Sequence, residues 1–283
     1  MTFSIVAHDP DAAEWGVAVA SKFLAAGAVV PFARAGAGAV ATQSYANLAY
    51  GPDGLDRMGR GASAEEAVAA VTAADPQRAL RQVGMVDASG GAATYTGDEC
   101  FDWAGGLVGD GYACQGNILV GPRVVEAMAE AYEATTADLA GRLVAALEAG
   151  DRAGGDRRGR QSAGLLVVRS GGGYLGASDV AVDLRVDDHA DPVPELARLL
   201  DLHRLLFPRP GDLDFVDVDA ELAAELRSLL GAIGFDPGEG DGYDEALRRA
   251  LFTWVGVENL EERWTDEARI ERKVLEALRD AAT

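Results

Sequence analysis

Helices come in pairs along this chain, with runs of strands between them, and that order limits the fold more than any single motif. Strand-period segments stand at 2–7, 15–21 and 38–44. A helical pattern follows at 63–74, opened by Ser63 and Glu66 at the spacing of a capping box. Strands over 81–86, 92–96 and 111–116 precede helices over 122–134 and 137–149, and a strand over 162–168, two shorter ones and a helix over 193–207 come next. Antiparallel hairpins with helices inserted in pairs predict an α+β layered sandwich, in which helices cover sheets. The strict alternation of a doubly wound fold is absent. GAGAVA does not satisfy the dinucleotide fingerprint, and no phosphate-loop motif occurs. FPRPGD reads as a linker, followed by helices at 220–233, 243–255 and 265–281. The predicted division is a first domain over 1–207, a linker over 208–214 and a small helical domain over 215–283.

Composition excludes several classes of function. No run reaches the ~18 apolar residues of a membrane span, and no secretory pattern opens the chain, so a cytoplasmic protein without membrane contact is expected. The net charge of −21 argues against a nucleic-acid partner. Cys100 and Cys114 are too few for a disulfide framework. Asp187, Asp188 and His189 are adjacent on one strand and so face opposite ways, which leaves no metal shell. No metal or other cofactor is expected. Of 25 basic residues, only Lys22 and Lys273 are lysine.

The opening hairpin holds the most reactive combination. Phe3, Ile5, Ala7, Val17 and Val19 are apolar and all odd-numbered, so odd is expected to oppose odd and even to oppose even. A simple hairpin through residues 8–14 then places residue 2 opposite residue 22, or within one step, with β-carbons about 4.5–5.5 Å apart. Thr2 would lie beside Lys22, across a patch of glycine and alanine. A threonine hydroxyl is a poor nucleophile until a base takes its proton. Once Met1 is removed, Thr2 carries its own base, because a free α-amine has a reference pKa of about 7.7–8.0. A neighbouring ammonium would favour the deprotonated hydroxyl and lower the amine further. That arrangement suits acyl transfer and amide hydrolysis.

TFSIVAHDP, GVAVASKF, GAGAVATQSYAN, YACQGN and GGDRRGRQSAGLLVV together resemble a bacterial family of unknown function assigned to the N-terminal-nucleophile hydrolase fold. The resemblance covers residues 1 to about 207 and implies a four-layer αββα sandwich. It implies Thr2 as nucleophile with its amine as base, and Lys22 as the supporting lysine of a proteasome-type site. Asn117 and Gln43, or nearby backbone N–H groups, are the candidate oxyanion donors. Gln43, Ser44 and Asn47 in one motif, and Asp156, Arg160 and Ser162 in the loop entering the 162–168 strand, are expected to bind substrate. The segment from ELAAELRSLL to ENLEER is similar to a small helical peptidoglycan-binding-type domain.

Each residue also has a plainer reading. Lys22 could end a strand in solvent, Asn117 could satisfy buried backbone groups, and the arginines of the glycine-rich loop could be solvated or ion-paired. Two classes of function therefore stand. One is an N-terminal-nucleophile amidohydrolase acting on a small amide, lactam or peptide-like substrate, assembled as a homo-oligomer. The other is a non-catalytic binding or assembly protein that keeps the sandwich.

Overall fold

The computed structural model of the chain describes residues 2–283. β1 (Thr2–Asp9) and β2 (Glu14–Ser21) form the opening hairpin. Asp9 closes its turn by accepting the backbone N–H groups of Asp11 and Ala12 at 3.0 and 3.1 Å. After it come β3 (Pro31–Arg34), β4 (Gly38–Gln43), α1 (Tyr50–Met58), α2 (Ala64–Ala73), β5 (Gln82–Asp87) and β6 (Ala92–Thr96). β7 (Gly105–Gly109), β8 (Tyr112–Asn117), α3 (Arg123–Ala134), α4 (Leu139–Arg152), β9 (Ser162–Val168), β10 (Val180–Val186) and α5 (Pro192–Leu206) follow. The fold is α+β, with antiparallel pairings throughout. One sheet has six strands in the order β10-β9-β2-β1-β8-β7, and the second has four in the order β3-β4-β5-β6. Compact units divide between Leu200 and Asp201.

The hairpin corrects the expected register. Phe3 opposes Ala20 and Val6 opposes Val17, so odd faces even. Pairing odd with odd presumes one buried face, and this sheet buries both. Phe3, Ile5, Ala7, Ala18 and Ala20 join a core with Met128 of α3 and Leu143 of α4. Val6, Val17 and Val19 point the other way, into a second core with Ala39, Ala41 and Val86 of the four-stranded sheet. A third core lies beyond that sheet, where Val40, Val83 and Met85 meet Leu55 of α1 and Val68 of α2. The capping box at Ser63 and Glu66 is formed, with both reciprocal bonds present.

Three elements of the first unit have no range in the sequence reading, and two owe their concealment to glycine. In α1, a β-carbon at Gly51 would fall 2.3 Å from the Phe32 ring, and one at Gly54 would fall 2.8 Å from Met85 Cε. Glycine lets this helix approach the sheet, although it costs helix propensity. In β7, a β-carbon at Gly109 would meet the Tyr112 ring at 2.3 Å. β3 is a short strand beginning at Pro31.

The second unit contains β11 (Phe215–Asp217), α6 (Ala220–Ala232), α7 (Glu245–Val257), β12 (Arg269–Glu271) and α8 (Arg272–Ala281). Leu226, Leu230, Leu251, Trp254, Val274 and Leu278 form its core. The helix expected from 265 starts later, because Arg269–Glu271 pairs with β11 and Glu271 then caps α8. No helix among the described residues is long and apolar enough to cross a membrane.

Candidate functional site

The space between the two sheets changes character along its length. At the end nearer the β1–β2 turn it is filled by Val6, Val17, Ala39 and Val86. Towards the start of β1 it is filled by Thr2, Ser4, Ser21, Gln43, Gln82, Gln115 and Asn117, all buried. Buried amides and hydroxyls are costly unless they are paired, and here they pair chiefly with one another. Ser4 Oγ donates to Gln43 Oε1 at 2.7 Å and accepts from Gln115 Nε2 at 2.7 Å. Gly84 makes room for Gln115, since a β-carbon there would lie 2.0 Å from Gln115 Oε1.

Thr2 begins β1, the strand paired with β2 on one side and β8 on the other. Its side chain is only 6% exposed, and its hydroxyl lies 3.1 Å from Ser21 Oγ. Asn117 opposes it across β8. Gln43 reaches from the other sheet, donating to the Thr2 carbonyl at 3.2 Å and to Gln82 Oε1 at 2.8 Å. Gln82 is the hub of this cluster. Its Oε1 also accepts from Asn117 Nδ2 at 2.9 Å, and its own amide donates to Thr96 Oγ1 and the Gly116 carbonyl at 2.9 and 2.7 Å. One side chain thereby fixes the residue opposite Thr2 and the residue bonded to the Thr2 carbonyl.

The structure separates the expected site residues into distinct roles. Thr2 and Asn117 are adjacent. Lys22 falls within one step of the position opposite Thr2, next to the Thr2 neighbour Ser21, and its ammonium donates to the Arg160 carbonyl at 3.1 Å. Gln43 gives its amide N–H groups to the Thr2 carbonyl and to Gln82 Oε1 within the core. Asn47 donates to Asp75 at 2.9 Å and accepts the Ala49 N–H at 3.1 Å. Ser44, next to Gln43, adopts a left-handed backbone at φ 56°. Ser162 is fully buried, donates to the Phe23 carbonyl at 2.6 Å and accepts the Ala26 N–H, which makes it a loop anchor. Asp156 accepts the backbone N–H groups of Lys22 and Arg158 at 2.7 and 2.8 Å. Arg160 pairs with Asp151 and Asp191 at 2.7 and 3.1 Å. Asp156 and Arg160 do line a cavity of about 280 Å³, together with Phe3, Ala20, Ser21 and Val193. Ser21 is thus shared between this cavity and the Thr2 hydroxyl.

Sequence reasoning missed Ser21, Gln82 and Asp75. Register decides the first two; a glutamine heading a fully buried strand is the signal that could have found Gln82. Asp75 holds the loop after β4. Burial pushes its carboxyl up, but bonds from Asn47, the Gln77 backbone, Arg81 and Tyr50 outweigh burial and hold it far below the usual carboxylate range. A depressed folded-state value means stability that is present above the ordinary carboxylate pKa and lost as pH falls towards the folded value. An Asp75→Ala variant is therefore expected to melt several degrees below wild type at neutral pH. The gap should narrow in acid, as followed by thermal unfolding across a pH series.

Comparison with known proteins places these features in a family. Residues 2–196 match the model described as "Family of unknown function (DUF1028)", and residues 206–278 match one described as "Putative peptidoglycan binding domain". The crystal structure of a Silicibacter pomeroyi protein of the first family is similar, at 34% identity and a TM-score of 0.66, over 72% of this chain and 89% of that one. Among curated proteins there is no match.

Proposed function

Since the chain belongs to the DUF1028 family of unknown function, its chemistry has to be argued from its own site, and we propose that it is an N-terminal-nucleophile amidohydrolase with Thr2 as nucleophile. The observation that carries this reading is the place of the Thr2 hydroxyl. It is buried at the start of an interior strand, beside Ser21 and opposite Asn117, where Ser21 also borders a cavity. The three cores described above support an αββα arrangement of the N-terminal-nucleophile type. A reading as hydrolase goes beyond fold, because fold alone assigns no activity.

In this mechanism Met1 is removed, and the Thr2 α-amine takes the hydroxyl proton as Oγ1 attacks the amide carbonyl carbon. The amine then passes that proton to the departing nitrogen, leaving an ester on Thr2. Water, deprotonated by the same amine, hydrolyses the ester and restores the hydroxyl. Asn117 Nδ2 has a second N–H besides the one given to Gln82, and it is the side-chain donor assigned to the oxyanion. Lys22 has no part in this scheme. The substrate is a small amide, lactam or peptide-like molecule, and the peptidoglycan-binding-like segment is assigned to assembly.

Intact mass of the untagged protein is the direct test. Loss of Met1, and a transient acyl adduct on the peptide beginning at Thr2 when an amide is supplied, are the expected results. Retention of Met1 would block the amine in a peptide bond and overturn the mechanism.

A further inference from the structure

The strand ends that meet around Thr2 continue into loops that carry large apolar side chains into solvent. Phe23 and Leu24 follow Ser21, and Tyr45 and Leu48 follow Gln43. Phe101 stands where its carbonyl accepts the N–H of Ile118, the residue after Asn117, at 2.9 Å. Tyr45 is 62% exposed and Phe101 54%, and their rings lie 6.2 Å apart, so the two loops present one surface. Single exposed apolar residues need no explanation, but an adjoining pair of exposed rings, on loops tied to the strand ends that meet Thr2, does.

These loops are also held in costly backbone conformations. Ala25, Ser44, Tyr45 and Ile118 all have φ between 47° and 56°, the left-handed region that side chains other than glycine avoid. Such positions persist only where surrounding structure enforces them, and they concentrate at ligand sites. The enforcement is visible on both sides. Arg81 bonds the Tyr45 carbonyl while its guanidinium is committed to Asp75 at 3.0 Å and Gln77 at 2.7 Å. Ser162 ties down the Phe23 carbonyl and the Ala26 N–H. The backbone carrying Tyr45 and Phe23 is therefore held in place, and the Arg81 charge that bonds the Tyr45 carbonyl is neutralised by Asp75.

We propose that this collar binds an uncharged, apolar acyl group of the amide that Thr2 cleaves, with Tyr45 and Phe101 as the residues that set acyl preference. The inference rests on the Thr2 reading for the identity of the occupant. Neutralisation of Arg81 favours an uncharged group over a carboxylate, and the attachment of both loops to Gln43 and to the Asn117–Ile118 strand end, which meet Thr2, directs that group towards the scissile carbonyl. Each methylene buried on the collar strengthens binding by about fourfold.

The test is calorimetric titration of the full-length Thr2→Ala protein with the N-methylamides of acetic, phenylacetic and octanoic acid. The phenylacetic and octanoic amides are expected to bind at least about tenfold more tightly than the acetic one. Phe101→Ala, and Tyr45→Asn, which suits the left-handed backbone, should each remove most of that preference. Equal affinity along the series, or a preference unchanged in both variants, overturns the proposal. So does a change in sedimentation mass with no change in preference, which would make the collar a contact between copies. Turnover by the Met1-processed wild-type protein, scored separately, tests Thr2. Acyl preference in binding without turnover keeps the collar and removes the hydrolase reading, and turnover without preference does the reverse.

Discussion

Thr2→Ala is expected to lower amide turnover by about 10⁴-fold or more, the scale on which loss of a nucleophile is felt. Thr2→Ser should retain measurable activity, because it keeps both the hydroxyl and the α-amine. The fold should tolerate either change. Alanine removes the hydroxyl contact with Ser21, and a single such hydrogen bond contributes only about 0.5–1.5 kcal/mol. Activity lost without a matching loss of thermal stability is thus the signature of a catalytic group. The pH dependence has a definite sign as well. The amine acts as base only when neutral, so the rate should rise through its titration, near a reference pKa of about 7.7–8.0. A binding protein would show no turnover at any pH and no difference between the two variants.

The second large effect lies in the C-terminal unit. Arg263 and Glu271 are both almost wholly buried and stand 3.0 Å apart. Arg263 also donates to the carbonyls of Leu205 and Arg204 at 2.6 and 2.8 Å. Glu271 caps α8 by accepting the N–H groups of Lys273 and Val274. Removing one partner of a buried pair leaves the other charge uncompensated, at a cost of about 3–5 kcal/mol. Arg263→Ala is accordingly expected to destabilise residues 201–283 by that amount. Hydrogen exchange of the full-length protein should show faster exchange there and unchanged protection in β1, β2 and β8. Arg263→Met paired with Glu271→Leu should lose much less, since neither charge is then stranded. Equal exchange in Arg263→Ala and wild type would show that the pair carries little stability.

Much of the α+β order was legible because its elements have clean local signals. The β1–β2 hairpin alternates around an Asp-Pro turn, Ser63 and Glu66 announce α2, and the long apolar stripes of α3 and α4 are plain. The places of α1 and β7 were not legible, because YGPDGLDRM and GGLVG read as breakers when glycine is judged by propensity alone. Their glycines answer to Phe32, Met85 and Tyr112, residues that only the tertiary fold brings near. The site divided in the same way. Thr2, Gln43 and Asn117 come from residue type and motif, and all three lie in the inter-sheet cluster. Ser21 in place of Lys22 turned on a one-residue shift in register, which local pattern cannot fix when both faces of the sheet are buried. Asn47 and Ser162 have the chemistry of ligand contacts, and in the fold they also bond Asp75 and the Phe23 carbonyl.

The glycines of α1 have a consequence for how this sequence can vary. Because Gly51 is filled by the Phe32 ring and Gly54 by the end of Met85, each glycine and its large partner share one volume. A methyl added on the helix must be matched by a smaller side chain on the sheet, and the reverse holds equally. Such contacting positions are non-additive under mutation. Drift in this part of the fold therefore proceeds through compensated pairs, and a change that is harmful alone becomes neutral once its partner has changed.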